Sequence, residues 1–465
     1  MLRKRNSALR GGRKKKGEAS LKISSARVSR PAVSPATRGA ASSSPLENFT
    51  QEAHDVMAGG KIPVIFSAQN GQRLGVLKRT LARISKATLE ELPLIHGAAA
   101  WIGKNQLEAL LEKMPDGTSI AINHAVHPQS PFTNHNFIFQ EAAEDRSTAG
   151  PTETASVRLP GLDKVWKQGF TGKGQTVAII DSGIFPHPDL KERIVGWMDF
   201  AEGKKKPTDR YGHGTHVAGL VAGSGSKSQG AVKGVAPEAN LVGVRIASIA
   251  DAIKALNWVI ENKDELNISV VNMSLGDMPS RAWKNDPWAL ATQRAIDAGL
   301  TVVVSAGNEG PNPGTIATPG ILPTAITVGA IDDSGTLDPK DDQLTRFSSR
   351  GPSIDGLTKP DVVAPGKRVF STLAPSSSFD TPEFPKASGG YFAISGTSQA
   401  TPMVAGLVAL LKQANPQLTQ ADLLAILKES AHKYPNLEGA AVGAGLVQAE
   451  RALELARNWE SKAVA

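Results

Sequence analysis

Thr176-Val177-Ala178-Ile179-Ile180-Asp181-Ser182-Gly183 reads as a buried strand that stops at an acidic turn. Its apolar residues are consecutive rather than alternating, the mark of a strand covered on both faces in a parallel sheet. From Gly172 onward, similar short apolar runs alternate with longer helical patterns, as parallel βαβ units require. Strands are predicted at 176–180, 240–244, 270–274, 301–305 and 325–328, and helices at 213–222, 249–261, 288–298, 401–414 and 419–430. The fold class is α/β, a doubly wound parallel sheet. Reactive groups in such sheets gather at the carboxyl ends of the strands.

Asp181 followed by Ser182-Gly183 is, on its own, an ordinary turn. Gly212-His213-Gly214-Thr215-His216-Val217-Ala218-Gly219 surrounds His213 with small residues, so a helix can start close to the sheet while the imidazole projects into a cleft. His213 and His216 are spaced i, i+3, but the Glu of a zinc H-E-x-x-H site is missing, and His216 is read as a hydrogen-bonded core histidine. Ser395-Gly396-Thr397-Ser398-Gln399-Ala400-Thr401-Pro402 puts Ser398 at the opening of a helix, with Pro402 expected in the first turn. Backbone N–H groups and the positive helix end favour developing negative charge there. In isolation Ser398 would pass for an N-cap. Ser305-Ala306-Gly307-Asn308-Glu309-Gly310 ends another strand in an Asn whose amide can donate to an oxyanion. Taken together, Asp181, His213 and Ser398 are the set that nucleophilic hydrolysis needs: His takes the serine proton, and Asp orients and stabilises the imidazolium.

On these motifs the sequence resembles the subtilisin-like serine proteases (subtilase family, peptidase S8). Further blocks agree, in the family's order: Gly234-Val235-Ala236-Pro237, Asn272-Met273-Ser274-Leu275-Gly276, Phe347-Ser348-Ser349-Arg350-Gly351-Pro352 and Lys359-Pro360-Asp361-Val362-Val363-Ala364-Pro365-Gly366. The resemblance covers most of residues 160–455, and the chain order Asp, His, Ser is that of subtilisin. It implies a serine endopeptidase with the triad Asp181, His213 and Ser398 and an oxyanion hole made by Asn308 and the Ser398 N–H. It also implies that Ser274, Leu275 and Gly276 pair with an extended substrate and form one wall of the S1 pocket, with Ala306 and Gly307 opposite. Thr315 to Gly320 would close the floor. The family often has Gly where Ala317 stands, so a slightly shallower pocket is expected, one that prefers medium apolar, Met or Leu P1 residues over Trp.

Residues 1–45 hold 12 Lys and Arg against the single acid Glu18, while the other 420 residues carry 40 basic and 43 acidic groups. The chain's basic character therefore belongs to a tail, read as a solvated disordered arm that is poor in apolar residues. Nucleic-acid binding through Arg3–Arg5 and Arg13–Lys16 is the alternative. No 7–15-residue apolar stretch follows these charges, so no standard signal peptide is recognised and the compartment stays open. No apolar run approaches a membrane span. Without Cys there is no disulfide, Cys-ligated zinc or thiol nucleophile.

Between tail and catalytic motifs, Ile62–Phe66 reads as a strand and Leu74, Leu77, Leu81 and Ile84 as a helix. Leu94–Ile102 reads as two short strands turning at His96-Gly97, Leu107, Leu110 and Leu111 as a second helix, and Ser119–Ile122 as a last strand. That β-α-β-β-α-β order is ferredoxin-like α+β. By resemblance this unit is a propeptide that assists folding and blocks the cleft, with Ile122–His127 as its blocking tail. The expected domains are a basic tail (1–45), the propeptide-like domain (46–128), a linker with the processing site (129–155), the catalytic domain (156–458) and a C-terminal tail (459–465). A monomeric zymogen acting on proteins or peptides is expected, its own N-terminal domain serving as chaperone and inhibitor.

Three details depart from the family. The chain between Val244-Arg245-Ile246 and the helix at Ala252–Trp258 is short, which opens the P4 side of the cleft. Gln399 stands where many relatives have Met, removing one peroxide-sensitive group beside the serine. The loop Gly223–Gly230 lacks the sequence of a phosphate loop and contributes no carboxylate. Catalysis calls for no cofactor. A structural Ca2+ near Asp189 is the one metal the resemblance suggests, and hard cations favour charged oxygen ligands.

Overall fold

The computed structural model describes residues 60–68, 71–84, 89–111, 113–114, 118–125 and 159–460. The basic tail, the whole of the expected linker at 129–155 with its processing site, and residues 126–127 of the expected blocking tail lie outside these. The first described unit contains β1 (Lys61–Ala68), α1 (Gly71–Ile84), β2 (Glu90–Leu92), β3 (Gly97–Gly103), α2 (Lys104–Leu111) and β4 (Thr118–Ile122). Its strands are antiparallel in the order β2-β3-β1-β4. The reversal near His96 differs from the expected hairpin. Pro93 has no N–H to extend a ladder, so a 3-10 turn spans Pro93–Ile95 and His96 closes it at φ +48°. Alternation along β1 sends Ile62, Val64 and Phe66 against Leu77, Leu81, Leu107 and Leu110, forming a small core.

The larger unit is built on a largely parallel sheet of eight strands: β5 (Thr176–Asp181), β6 (Ile194–Asp199), β7 (Asn240–Arg245), β8 (Ile268–Met273), β9 (Thr301–Ser305), β10 (Ile326–Asp332), β11 (Gln343–Leu344) and β12 (Val362–Pro365). The order is β11-β10-β9-β8-β5-β7-β6, with β12 also on β10, and only β11 runs antiparallel. From β5 the chain goes out to the edge strand β6 and returns to β7 beside β5. It then crosses to β8 on the other side and continues outward through β9 and β10, so the order reverses at β5.

Helices cover both faces: α3 (His213–Ala222), α4 (Ile249–Asn262), α5 (Pro287–Asp297), α6 (Thr397–Ala414), α7 (Gln420–Ser430) and α8 (Ala449–Arg457). Along β5, Val177 and Ile179 pack with α3 and α6, whereas Ala178 and Ile180 pack with α4 and α5. That two-sided burial is why the strand reads as one apolar run. The second core extends to Ile65, Leu92, Ile95 and Ala99, so the small unit covers α4 and α5 with the sheet face its own helices leave open. A separate sheet of β13 (Val369–Thr372), β14 (Lys386–Ala387) and β15 (Tyr391–Ile394) flanks α3. Among the described residues no helix is long and apolar enough to cross a membrane.

One boundary matters chemically. The helix predicted from Thr401 begins at Thr397, so Pro402 lies one turn in, not in the first turn. There it withholds the N–H that would bond the Ser398 carbonyl. The early start is permitted by Gly396, whose extended backbone (φ 160°, ψ 161°) leads directly into the first turn.

Candidate active site

Asp181 is the last residue of β5 and His213 the first of α3, and both are buried. His213 Nδ1 and Asp181 Oδ1 are 2.8 Å apart, which leaves Nε2 as the second ring nitrogen outside this bond. Nε2 is buried and makes no hydrogen bond among the described residues. Ser398, second residue of α6, donates its hydroxyl to the Ser274 carbonyl at 2.9 Å. The serine–histidine bond is thus the one triad link not made in this state. Hydrogen bonds of this kind often tighten only when substrate arrives.

Asn308 follows β9 and is held by the residue before the serine: its Oδ1 accepts from Thr397 N at 2.9 Å and from Thr397 Oγ1 at 3.0 Å. With the oxygen pinned, the amide NH2 is turned away from Thr397. The Ser398 N–H, in the first turn, has no intrahelical acceptor. Gly396 keeps this corner open. A Cβ there would stand 2.8 Å from Gln399 Oε1 and 3.5 Å from Asn308 Nδ2.

The three segments expected to line a pocket are tied together through their backbones. Ala317 N donates to Ala306 O at 2.8 Å, and Asp277, just after Gly276, exchanges N–H···O bonds of 3.0 and 2.8 Å with Thr318. Ser305 Oγ reaches Leu275 O at 3.4 Å. Ser274, Leu275 and Gly276 therefore stand beside Ala306, Gly307 and Ala317, and Ser274 also touches Ser398.

His216 belongs elsewhere. Its Nε2 lies 3.0 Å from Val369 O and its ring meets Phe392 edge-on at 4.8 Å. Burial, reinforced by His213, pushes its pKa down to about 3, so it stays neutral. Around Asp189, Oδ1 accepts from Ser226 Oγ (2.7 Å) and Lys227 N (3.1 Å), and Oδ2 accepts from Tyr391 Oη (2.5 Å). Burial alone would raise this carboxyl, but these donors hold it below the ordinary range. The Arg193 guanidinium takes the carbonyls of Asp189, Ala222 and Pro237. Donors already engage both carboxylate oxygens, so this set does not fit a Ca2+ ion. Among the described residues, no group of three or more His, Asp or Glu side chains is arranged to hold a metal.

Sequence reasoning missed Thr397, Ser182 and Asp209. Asp209 is a buried carboxylate that accepts from Ser182 Oγ, Gly212 N, Thr215 N and Thr215 Oγ1. Its signal was an acid three residues before the glycine that opens a helix.

A model of the Subtilase family matches residues 172–445. Serine protease AprX of Bacillus subtilis (strain 168) is 44% identical over 299 residues, which are 62% of this chain and 67% of that protein. Subtilisin E of the same organism is 33% identical over 323 residues, 67% of this chain and 73% of that protein. The solved structure of fervidolysin from Fervidobacterium pennivorans, a keratinolytic enzyme related to subtilisin, is similar over 86% of this chain and 62% of its own. Its TM-score is 0.60 at 21% identity, a likeness of fold.

Proposed function

Because the chain belongs to the subtilase family of serine endopeptidases, we propose that it hydrolyses internal peptide bonds through an acyl-enzyme formed on Ser398. The observation that carries this is the buried Asp181–His213 pair at the end of β5, with Ser398 bonded to Ser274 just beyond the neighbouring strand β8 and Asn308 held by Thr397. The serine hydroxyl leaves the Ser274 carbonyl and passes its proton to His213 Nε2 as Oγ attacks the scissile carbonyl. Asp181 keeps Nδ1 protonated and stabilises the imidazolium. Negative charge on the carbonyl oxygen is met by the Asn308 amide and the Ser398 N–H. His213 then protonates the leaving amine, and water repeats the sequence on the ester.

The substrate lies extended along Ser274–Gly276, adding a strand whose main-chain bonds give affinity while pockets give preference. Ala317 narrows the S1 floor, which supports medium apolar P1 residues over Trp. Only residues 246–248 separate β7 from α4, which supports weak P4 selection. A peptide library cleaved best after Asp or Trp would refute the P1 assignment.

The small unit is a ferredoxin-like propeptide that holds the enzyme as a zymogen. Two sets of contacts support this. Its sheet buries Ile65, Leu92, Ile95 and Ala99 against α4 and α5. Its outgoing chain bridges Ala125 to Ser248, and there the His124 carbonyl accepts from Ile249 N (3.1 Å) and Asn123 Oδ1 accepts from Ala250 N (2.9 Å). That path runs along the open P4 edge. The test is amino-terminal sequencing of the purified full chain and of Ser398→Ala. The wild type should start between residues 125 and 155, and the variant should keep its full length. An active wild type of full length overturns the zymogen reading.

A further inference from the structure

Beside the Asp181–His213 pair stands a second carboxylate that the reaction does not use. Asp209 is 4% exposed, and among the described residues no cation pairs with it. Burial, with Asp181 nearby, raises its carboxyl above the ordinary range, and the four donors that oppose this belong to the two ends of the Asp181–His213 pair. Oδ1 accepts from Ser182 Oγ at 2.9 Å and Gly212 N at 2.8 Å; Oδ2 accepts from Thr215 N at 2.9 Å and Thr215 Oγ1 at 2.7 Å. Ser182 follows Asp181 directly. Gly212 precedes His213, and Thr215 completes its turn. Ser182 Oγ also accepts from Gly214 N at 3.0 Å, so one hydroxyl joins the strand end, the carboxylate and the residue after His213.

Backbone packing shows how closely these pieces are drawn together. A Cβ on Gly183 would lie 2.1 Å from the Thr208 carbonyl, and one on Gly214 would lie 2.1 Å from the Gly183 carbonyl. Two routes therefore connect the end of β5 to the first turn of α3. One is the Asp181–His213 hydrogen bond, and the other runs from Ser182 through Asp209 to Gly212 and Thr215. A single hydrogen bond fixes a distance but not the rotation of a helix turn about it. The second route supplies that restraint, and holding reacting groups in a near-attack geometry is worth large factors in rate.

We propose that Asp209 is a positioning residue for the Asp181–His213 pair, acting through Ser182 and the first turn of α3; this rests on the triad reading above. An ordinary helix cap would support α3 without reaching the strand that carries Asp181. The bridge through Ser182 is what separates the two roles.

The experiment compares Asp209→Asn, Ser182→Ala and Asp422→Ala in the full chain. Asp422 is also a buried capping carboxylate, in the capping box of α7, bonded there to Thr419 and making no hydrogen bond to Asp181, His213 or Ser398. Kinetics on a chromogenic peptide are measured well below each Tm, together with the rate at which a fluorophosphonate labels Ser398. Asp209→Asn offers one acceptor oxygen where the carboxylate has two. Its kcat should fall about 10- to 100-fold with KM little changed, and labelling should slow in proportion. Ser182→Ala should fall in the same direction by a smaller factor, while Asp422→Ala lowers Tm and leaves kcat alone. Should Asp209→Asn fail to fold, Ser182→Ala decides alone. A wild type that labels while the folded variants keep its kcat overturns the positioning role and spares the triad. A folded wild type that does not label overturns both.

Discussion

Asn308 has two separable duties, and two substitutions at this position pull them apart. Its Oδ1 accepts both Thr397 N and Thr397 Oγ1, while its NH2 is the donor proposed for the oxyanion. Asn308→Ala removes both duties. Losing one oxyanion donor costs about 10²–10³ in kcat, a range set on a subtilisin, a relative of this chain. Thr397 is wholly buried, so its two donors lose their acceptor away from water. At about 1–3 kcal/mol for each unsatisfied group, the fold loses roughly 2–6 kcal/mol. For a catalytic unit of this size, a loss in the middle of that range lowers Tm by roughly 10 °C. Asn308→Asp keeps the acceptor and replaces the donor by a negative group. It should lose at least as much kcat as the alanine variant while its Tm stays nearer the wild type. KM should move little in either, because the donor acts on charge that develops only in the transition state. Calorimetry and steady-state kinetics on one chromogenic peptide read both quantities. An alanine variant within threefold of wild-type kcat would refute the oxyanion role. An aspartate variant with full activity would do the same.

Burial, with the neighbouring charges of Asp333 and Asp341, pushes Asp342 up to about 6 despite its bond from Tyr434. A carboxyl raised in the folded state favours folding below its unfolded pKa, and that contribution disappears as pH rises to about 6. Asp342→Asn should therefore raise Tm at pH 8 and lose that advantage near pH 4; equal Tm changes at both would contradict it. Lys359 is buried with its Nζ 2.6 Å from Asp361 Oδ2 and 2.9 Å from Ala325 O. Lys359→Ala strands part of a buried charge and should cost about 3–5 kcal/mol in denaturant unfolding, less whatever Lys428, 2.7 Å from Oδ1, retains; a loss below 1 kcal/mol would show the pair to be dispensable. Gln399 adjoins the nucleophile, and Gln399→Met should hasten inactivation by dilute peroxide, since a thioether oxidises there. Wild type and variant decaying at the same rate would remove that explanation.

The motifs proposed for catalysis were legible because each stands where a strand stops or a helix starts, with glycine beside it. Asp181 closes a run covered on both faces, and His213 opens a helix of small residues, so period and punctuation agree. The segments proposed for S1 were readable only by resemblance, since nothing local in Ala306 or Ala317 says that their backbones will bond. The strands β6 and β13–β15 escaped notice. β13–β15 are only two to four residues long, and in β6 half-buried Ile194 and Trp197 make no sustained pattern. Pro402 misled the boundary, because proline is expected at a helix start and here α6 begins a turn earlier. Asp209 left only a faint sign, its place three residues before the glycine that opens α3. Three of its four bonds come from α3 and its cap, two of them from backbone N–H groups, and a backbone donor leaves no mark in a sequence.

An activated Ser398 is expected to react covalently with a fluorophosphonate. Folded wild type and Ser398→Ala are treated with a fluorophosphonate, and the modified peptide is mapped by mass spectrometry. Labelling on Ser398 in the wild type and none in the variant is the predicted result. A folded wild type that stays unlabelled, or a variant that labels equally well, would contradict it.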